Sequence, residues 1–276
     1  PGATLATSGL MSLVYGLSKA PSLGWGSHTV EGFIAGGIAL FITFLYWEPR
    51  TAQPMMPLAI FKIRNVLGAN LAFLAIACTM FSMFFFLTLY IQQVLGYSPV
   101  KTGVSFLPVT FIIAAVSGVV ANLVGKIGYK PPMVVGPIIL AVGLFIMSRT
   151  LKVHGNYWHN VFPGLATSAV GMGFTFVSGS LAATSGIPKH FSGLASGVLN
   201  TAQQIGGALG LGILSAVAFS TFRAEVAAGG PALGAQVHGY QAGLQVGVGL
   251  AILAVIVVIF VVKNHKVDPK EAMAMG

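Results

Sequence analysis

The sequence predicts an all-α polytopic membrane protein, and three observations carry that reading. Hydrophobic residues fill 55% of the 276 positions and charged residues only 7%, against about 25% charged residues in an ordinary soluble domain. Eight segments stay apolar over roughly the 20 residues a helix needs to cross about 30 Å of hydrocarbon. The charges fall between those segments or at their ends, as they must when an ionised side chain at mid-bilayer costs about 2.5–3.5 kcal/mol on insertion scales. The abundance of Phe, Leu, Ile and Val excludes disorder. A collagen-like chain is excluded because the 36 glycines follow no three-residue period.

The spans run over 3–18, 29–47, 66–94, 102–125, 131–149, 157–185, 192–220 and 239–262. The first is short. The second carries Glu31 at its start and sets Gly32 and Gly36 on one face. The connection 48–65, EPRTAQPMMPLAIFKIRN, combines Met55, Met56, Leu58, Ile60 and Phe61 with Lys62 and Arg64. It is either an ordinary linker or a stretch lying along the interface with its cations at the headgroups. Span 66–94 is long enough to tilt or kink. It holds the lone cysteine, Cys78, so no intrachain disulfide is possible. It also carries Phe84, Thr88 and Gln92 at four-residue spacing, with Phe81 and Phe85 beside them. Spans 102–125 and 131–149 are joined by a turn over 125–130, and Arg149 closes the second. Spans 157–185 and 192–220 are again long. The later one carries Gly193 and Gly197, Gly206 and Gly210, and a polar stripe of Ser196, Asn200 and Gln204 with Gln203 adjacent. The stretch 221–238, rich in Gly and Ala, reads as a loose loop. Span 239–262, starting on Gly239, Gly243 and Gly247, completes the set.

Four-residue spacing puts small residues on one helix face, where they let backbones approach closely in lipid. That serves plain packing, and it is compatible with sliding interfaces. Amides inside a span need partners or water, because an unsatisfied polar group in lipid costs several kcal/mol. The two polar stripes therefore either make interhelical hydrogen bonds or line a substrate cavity.

Cations set the expected orientation. With both ends of the chain in the cytoplasm, that side carries Arg50, Lys62, Arg64, Lys126, Lys130, Lys189, Lys263, Lys266 and Lys270. The other side carries Lys19, Lys101, Arg149, Lys152 and Arg223, and the excess follows the positive-inside rule. The net charge of +9 is spread singly, with no stripe to follow a nucleic-acid backbone. The carboxylates Glu31, Glu48, Glu225, Asp268 and Glu271 and all six histidines lie in or beside connections, so no proton relay of the usual intramembrane kind is evident. His28 and Glu31 read as a solvated pair. No HExxH, GxSxG, GxGxxG or Walker A pattern occurs, so no enzyme, cofactor or metal site is expected. The chain begins at Pro1 with no signal peptide before its spans, and it is expected to be a piece of a longer protein.

Several runs resemble the fourteen-helix drug/proton antiporters of the major facilitator superfamily. GLASGVLNTAQQIGGALGLGIL (193–214) is similar to a late helix of that family, and YIQQVLGYSPVKTGVSFLP (90–108) to its helix nine to helix ten junction. EPRTAQPMMPLAIFKIRN (48–65) resembles the connection after the extra central helix pair, and GATLATSGLMSLVYGL (2–17), with Trp25 following, the first helix of that pair. The turn Gly125, Lys126, Ile127, Gly128, Tyr129, Lys130 is similar to a degenerate copy of the superfamily's loop between helices two and three. Gly125 stands where that loop has Asp, which leaves Lys126 and Lys130 to topology and Gly128 to the turn.

The resemblance implies an extra helix pair over 1–47, a linker over 48–65, a C-terminal six-helix bundle over 66–263 and a cytoplasmic tail over 264–276, in the plasma (inner) membrane. The N-terminal six-helix half would be missing, and with it the coupling carboxylates. The function implied is the C-terminal part of a proton-coupled multidrug efflux transporter, with the proton gradient as energy source. Such a transporter exports lipophilic or cationic compounds by alternating access between two bundles. Phe84, Thr88, Gln92, Phe174, Asn200 and Gln204 are the candidate substrate-binding residues. Aromatic and aliphatic walls suit lipophilic drugs and organic cations through burial and cation–π contact. The alternatives are the same scaffold exporting a specific metabolite, siderophore or lipid, and a non-transporting eight-span scaffold.

Overall fold

A chain in lipid must satisfy its backbone hydrogen bonds within each segment, and every apolar run here answers by coiling into a helix. The computed structural model describes residues 2–24, 26–51, 58–187 and 191–264. Trp25, Met55, Met56, Lys189, and the tail from His265 with its acids and cations, lie outside the described residues. Among the described residues nine α-helices follow in order: α1 (Gly2–Leu23), α2 (His28–Trp47), α3 (Arg64–Leu89), α4 (Pro99–Ser105), α5 (Leu107–Ile127), α6 (Lys130–Thr150), α7 (Phe162–Thr184), α8 (Ser192–Ala227) and α9 (Ala232–Val261). Single π-turns extend α3 over Tyr90–Val94 and precede α7 over Tyr157–Val161, and no strand occurs among the described residues. Among the described residues seven helical stretches are long and apolar enough to cross a membrane, and an eighth, Gly2–Leu17 within α1, is a shorter apolar helix.

One expectation needs correction and one a refinement. The span expected over 102–125 is present within the apolar stretch Pro99–Ile127, with an irregularity at Phe106 that divides it into α4 and α5. Pro108 lacks the N–H that would bond one turn back and disfavours helix just before it, which stops α4. Ser98 caps α4 by accepting from the Lys101 N–H at 3.3 Å. The loose loop expected over 221–238 is mostly helix. α8 runs on to Ala227 and α9 starts at Ala232, leaving a turn of four residues. Alanine is the best helix former, so an Ala-rich stretch breaks only where Gly229 (φ +84°), Gly230 and Pro231 force it.

Helix pairs meet through small residues. α6 and α7 are nearly in backbone contact: a Cβ built on Gly143 would lie 2.6 Å from the Gly164 carbonyl oxygen, and one on Gly164 would lie 2.7 Å from that of Gly143. The sequence reading did not single out this pair, whose glycines recur at seven rather than four. α3 packs against α8, α7 and α9 and is the most enclosed helix, with Phe73, Met83, Phe86 and Leu87 fully buried. Thr79 of α3 donates to the Gly247 carbonyl of α9 at 3.2 Å. α1 packs on α2 and reaches the bundle at α8.

A polar clasp ties helix ends together where α3 begins. The Asn65 amide donates to the Tyr129 hydroxyl at 2.5 Å, and that hydroxyl donates to Ser185 at 3.1 Å. Asn65 Oδ1 accepts the Lys263 N–H at 2.8 Å, and Asn264 bridges the Lys130 N–H and the Ile127 carbonyl. Lys130 Nζ and the Arg64 guanidinium donate to the last carbonyls of α9, at Ile259 and Phe260, where a helix C-terminus favours cations. Gly128, at φ +85°, turns the chain from α5 into α6. In the connection after α2, Ile60 is buried. Glu48 is also buried there, beside Gly2.

Candidate functional site

α3 presents two aromatic faces, and each opens onto a cavity. On one, Phe81 and Phe84 join Phe73, Ile76, Ala77 and Met80 of the same helix, Phe176 of α7 and Gln203 of α8 around a cavity of about 390 Å³. Phe84 packs edge-on against Phe106 at 5.5 Å between ring centroids, and Phe73 likewise against Phe176 at 5.9 Å. Gly207 lets the Phe81 ring lie directly on α8. On the other face, Phe85, Phe86 and Leu89 border a larger cavity, about 930 Å³, enclosed with α1, α8 and α9. The two neighbours expected beside Phe84 are thus separated: Phe81 shares its cavity and Phe85 does not.

Of the six candidate residues, Phe84 lines the smaller cavity and the other five line neither. Thr88 is half-buried, its hydroxyl donating to the Phe84 carbonyl at 2.7 Å. Gln92 is half-buried on the π-turn after α3, and Phe174 packs beside the core. Asn200 and Gln204 are exposed on α8, while Gln203 is the amide that enters the cavity.

The reason lies in the helix pitch. With 3.6 residues per turn, a stripe at strict four-residue spacing drifts by about 40° per step. Alternating steps of four and three, as in Ser196, Asn200, Gln203 and Gly207, hold one direction and would have picked out Gln203. Phe176, missed in favour of Phe174, has no such signal in the sequence.

Among the described residues no charged side chain lines the smaller cavity, and its one amide is Gln203. His28 and Glu31 face each other at 3.8 Å, both exposed in the first turn of α2. Among the described residues no group of three His, Cys, Asp or Glu side chains is placed to hold a metal ion. The site is thus an aromatic recess with one hydrogen-bonding amide, next to a helix face bearing two more. It can sequester a lipophilic body and orient one polar group, and it offers no nucleophile or base at the recess.

The model of the Major Facilitator Superfamily matches residues 2–211. The chain is 31% identical over 265 residues to the puromycin resistance protein pur8 of Streptomyces alboniger, covering 93% of this chain and 52% of that protein. It is 35% identical over 220 residues to the tetracenomycin C resistance and export protein of Streptomyces glaucescens (77% and 39%). It is 34% identical over 219 residues to the cephamycin export protein CmcT of Amycolatopsis lactamdurans (79% and 45%). The chain spans about half the length of these relatives or less.

Proposed function

Because this chain belongs to the Major Facilitator Superfamily, we propose that it is the C-terminal part of a multidrug efflux transporter, exporting lipophilic or cationic compounds by alternating access. The relatives named for antibiotic resistance and export align with most of it, which supports the class of cargo. One observation in the geometry carries the reading: three consecutive-face amides of α8, Asn200, Gln203 and Gln204, stand at or beside an aromatic recess without burial in the bundle. An amide left in hydrocarbon is costly, so this face calls for water or a polar neighbour rather than lipid. A second six-helix bundle, with a substrate cavity between the two, supplies both.

In this reading residues 1–47 are an extra helix pair, 48–65 a linker, 66–263 the transporter bundle and 264–276 a tail, with both ends on the cytoplasmic side of the plasma membrane. The proton gradient drives export through carboxylates of the N-terminal half. Two of the described acids support that division: Glu31 is exposed and Glu225 is held by His238, while Glu48 is buried at the end of α2, away from the aromatic recess. Phe81, Phe84 and Phe176 receive the lipophilic body, and Gln203 with Asn200 orients its polar group. The chain acts as a transporter rather than an enzyme.

Replacing Gln203 by Leu, Asn200 by Ala or Gln204 by Leu in the natural protein tests the reading. Each lost hydrogen bond, about 1 kcal/mol, lowers the efflux rate of a lipophilic cation such as ethidium about fivefold at unchanged protein level and melting temperature. Normal efflux in all three variants returns these residues to packing and removes the substrate face from α8.

A further inference from the structure

The larger cavity is unused by the transport reading. At about 930 Å³ it lies between α1 and the bundle, walled by Leu17 of α1, Phe85 and Leu89 of α3, Ser215 and Phe219 of α8, and Leu233 of α9. A gap of that size cannot stay empty in a bilayer, because its lining would forfeit dispersion contacts on one side. Its apolar walls give water few partners. Beside helices long and apolar enough to cross a membrane, the apolar medium able to fill it is lipid.

The cavity is not uniformly apolar, and its polar groups are gathered. Gln93, Gln236 and Tyr240 all line it. The Gln236 amide donates to Gln93 Oε1 and, at 2.8 Å, to the Tyr240 hydroxyl, which donates to Gln93 Oε1 at 3.3 Å. Each glutamine amide carries two donors and an acceptor, more than this cluster uses. The π-turn over Tyr90–Val94 carries Gln93, and such insertions are frequent at functional sites. A cation stands close by: the Arg223 guanidinium lies 4.8 Å from the ring centroid of Phe219, a wall residue. The nearest acid in sequence, Glu225, is engaged at 2.7 Å by His238, and Lys19 follows Leu17 by two residues on α1.

We propose that this cavity holds a membrane phospholipid as a fixed wedge between the helix pair and the bundle. One acyl chain fills the space between Leu17, Phe85, Leu89 and Ser215. The glycerol ester carbonyls accept from the Gln93 and Gln236 amides, and the phosphate sits at Arg223. This site is separate from the aromatic recess proposed for cargo, and its occupancy stands or falls independently of transport.

The test is native mass spectrometry of the natural protein in mild detergent, followed by delipidation and titration with phosphatidylglycerol and with diacylglycerol, which lacks the phosphate. One phospholipid is retained by the wild type, and phosphatidylglycerol binds at least tenfold more tightly than diacylglycerol. Ser215→Phe fills the cavity and weakens phosphatidylglycerol at least tenfold. Ile213→Phe, exposed on the same helix outside the cavity, leaves it unchanged. Arg223→Gln, on an exposed side chain, brings the two lipids to near-equal affinity at an unchanged melting temperature. Equal retention by wild type and Ser215→Phe, or an unchanged headgroup ratio in Arg223→Gln, means annular lipid only and overturns the proposal. So does a wild type that retains no phospholipid and binds tetraphenylphosphonium in its place, which assigns the cavity to cargo.

Discussion

Glycines that look alike in the sequence do unlike work. A Cβ on Gly210 would land inside the backbone of Cys78, and one on Gly206 against the Leu74 carbonyl, so both are consumed by the α3–α8 contact. Gly193 and Gly197, at the same spacing on the same helix, have nothing within 4 Å. Gly210→Ala is therefore expected to destabilise by about 1–3 kcal/mol, the usual cost of overpacking. Gly197→Ala, which trades a poor helix former for the best, is expected to stabilise by up to about 1 kcal/mol. Detergent melting curves of the two variants check the contrast, and equal shifts would remove the assigned α3–α8 contact as its cause. Spacing gives the face a residue occupies, but not which neighbour comes across to it. For the same reason Phe84 was legible as a cavity residue from its aromatic company, while Gln203 was hidden beside Gln204 by a drift that only the pitch reveals.

At the level of elements, hydropathy located all the apolar helices, since length and charge exclusion suffice for that. It failed where a helix continues beyond lipid: the Ala-rich extensions of α8 and α9 carry no apolar signal, only propensity. Nor did it foresee that Tyr129, a turn residue, would join four helix ends through Asn65 and Ser185. Burial pushes the Tyr129 hydroxyl above its ordinary value of 10.0, and the hydrogen bond with Ser185 opposes that in part. A raised value means that the folded protein holds this proton more tightly than the unfolded chain. The resulting stabilisation is complete below about pH 10 and is lost as pH rises from there through the raised value. Tyr129→Phe is expected to cost about 1 kcal/mol at pH 8, from its lost hydrogen bonds, and to close that gap above pH 10. Melting temperatures of both proteins from pH 7 to 11 measure this, and a constant gap would mean that the hydroxyl does not titrate in the clasp.

Over the whole molecule, charge is sorted by end. Arg64, Lys130 and Lys263 gather at the clasp, whereas Arg223 lies by the α8–α9 turn at the far end of α8. The orientation proposed from this sorting predicts that a membrane-impermeant maleimide on intact cells labels Arg223→Cys and spares Lys126→Cys. Buried Cys78 contributes little background, and the reverse pattern would invert the chain. α8 itself is 36 residues long, about 54 Å at 1.5 Å per residue, nearly twice the thickness of the hydrocarbon. Such a rod is a lever. A pivot of about 10° at its middle swings each tip through about 5 Å. A spin label or fluorophore at the Gly229 turn would therefore register small rocking motions that probes placed at mid-helix average away.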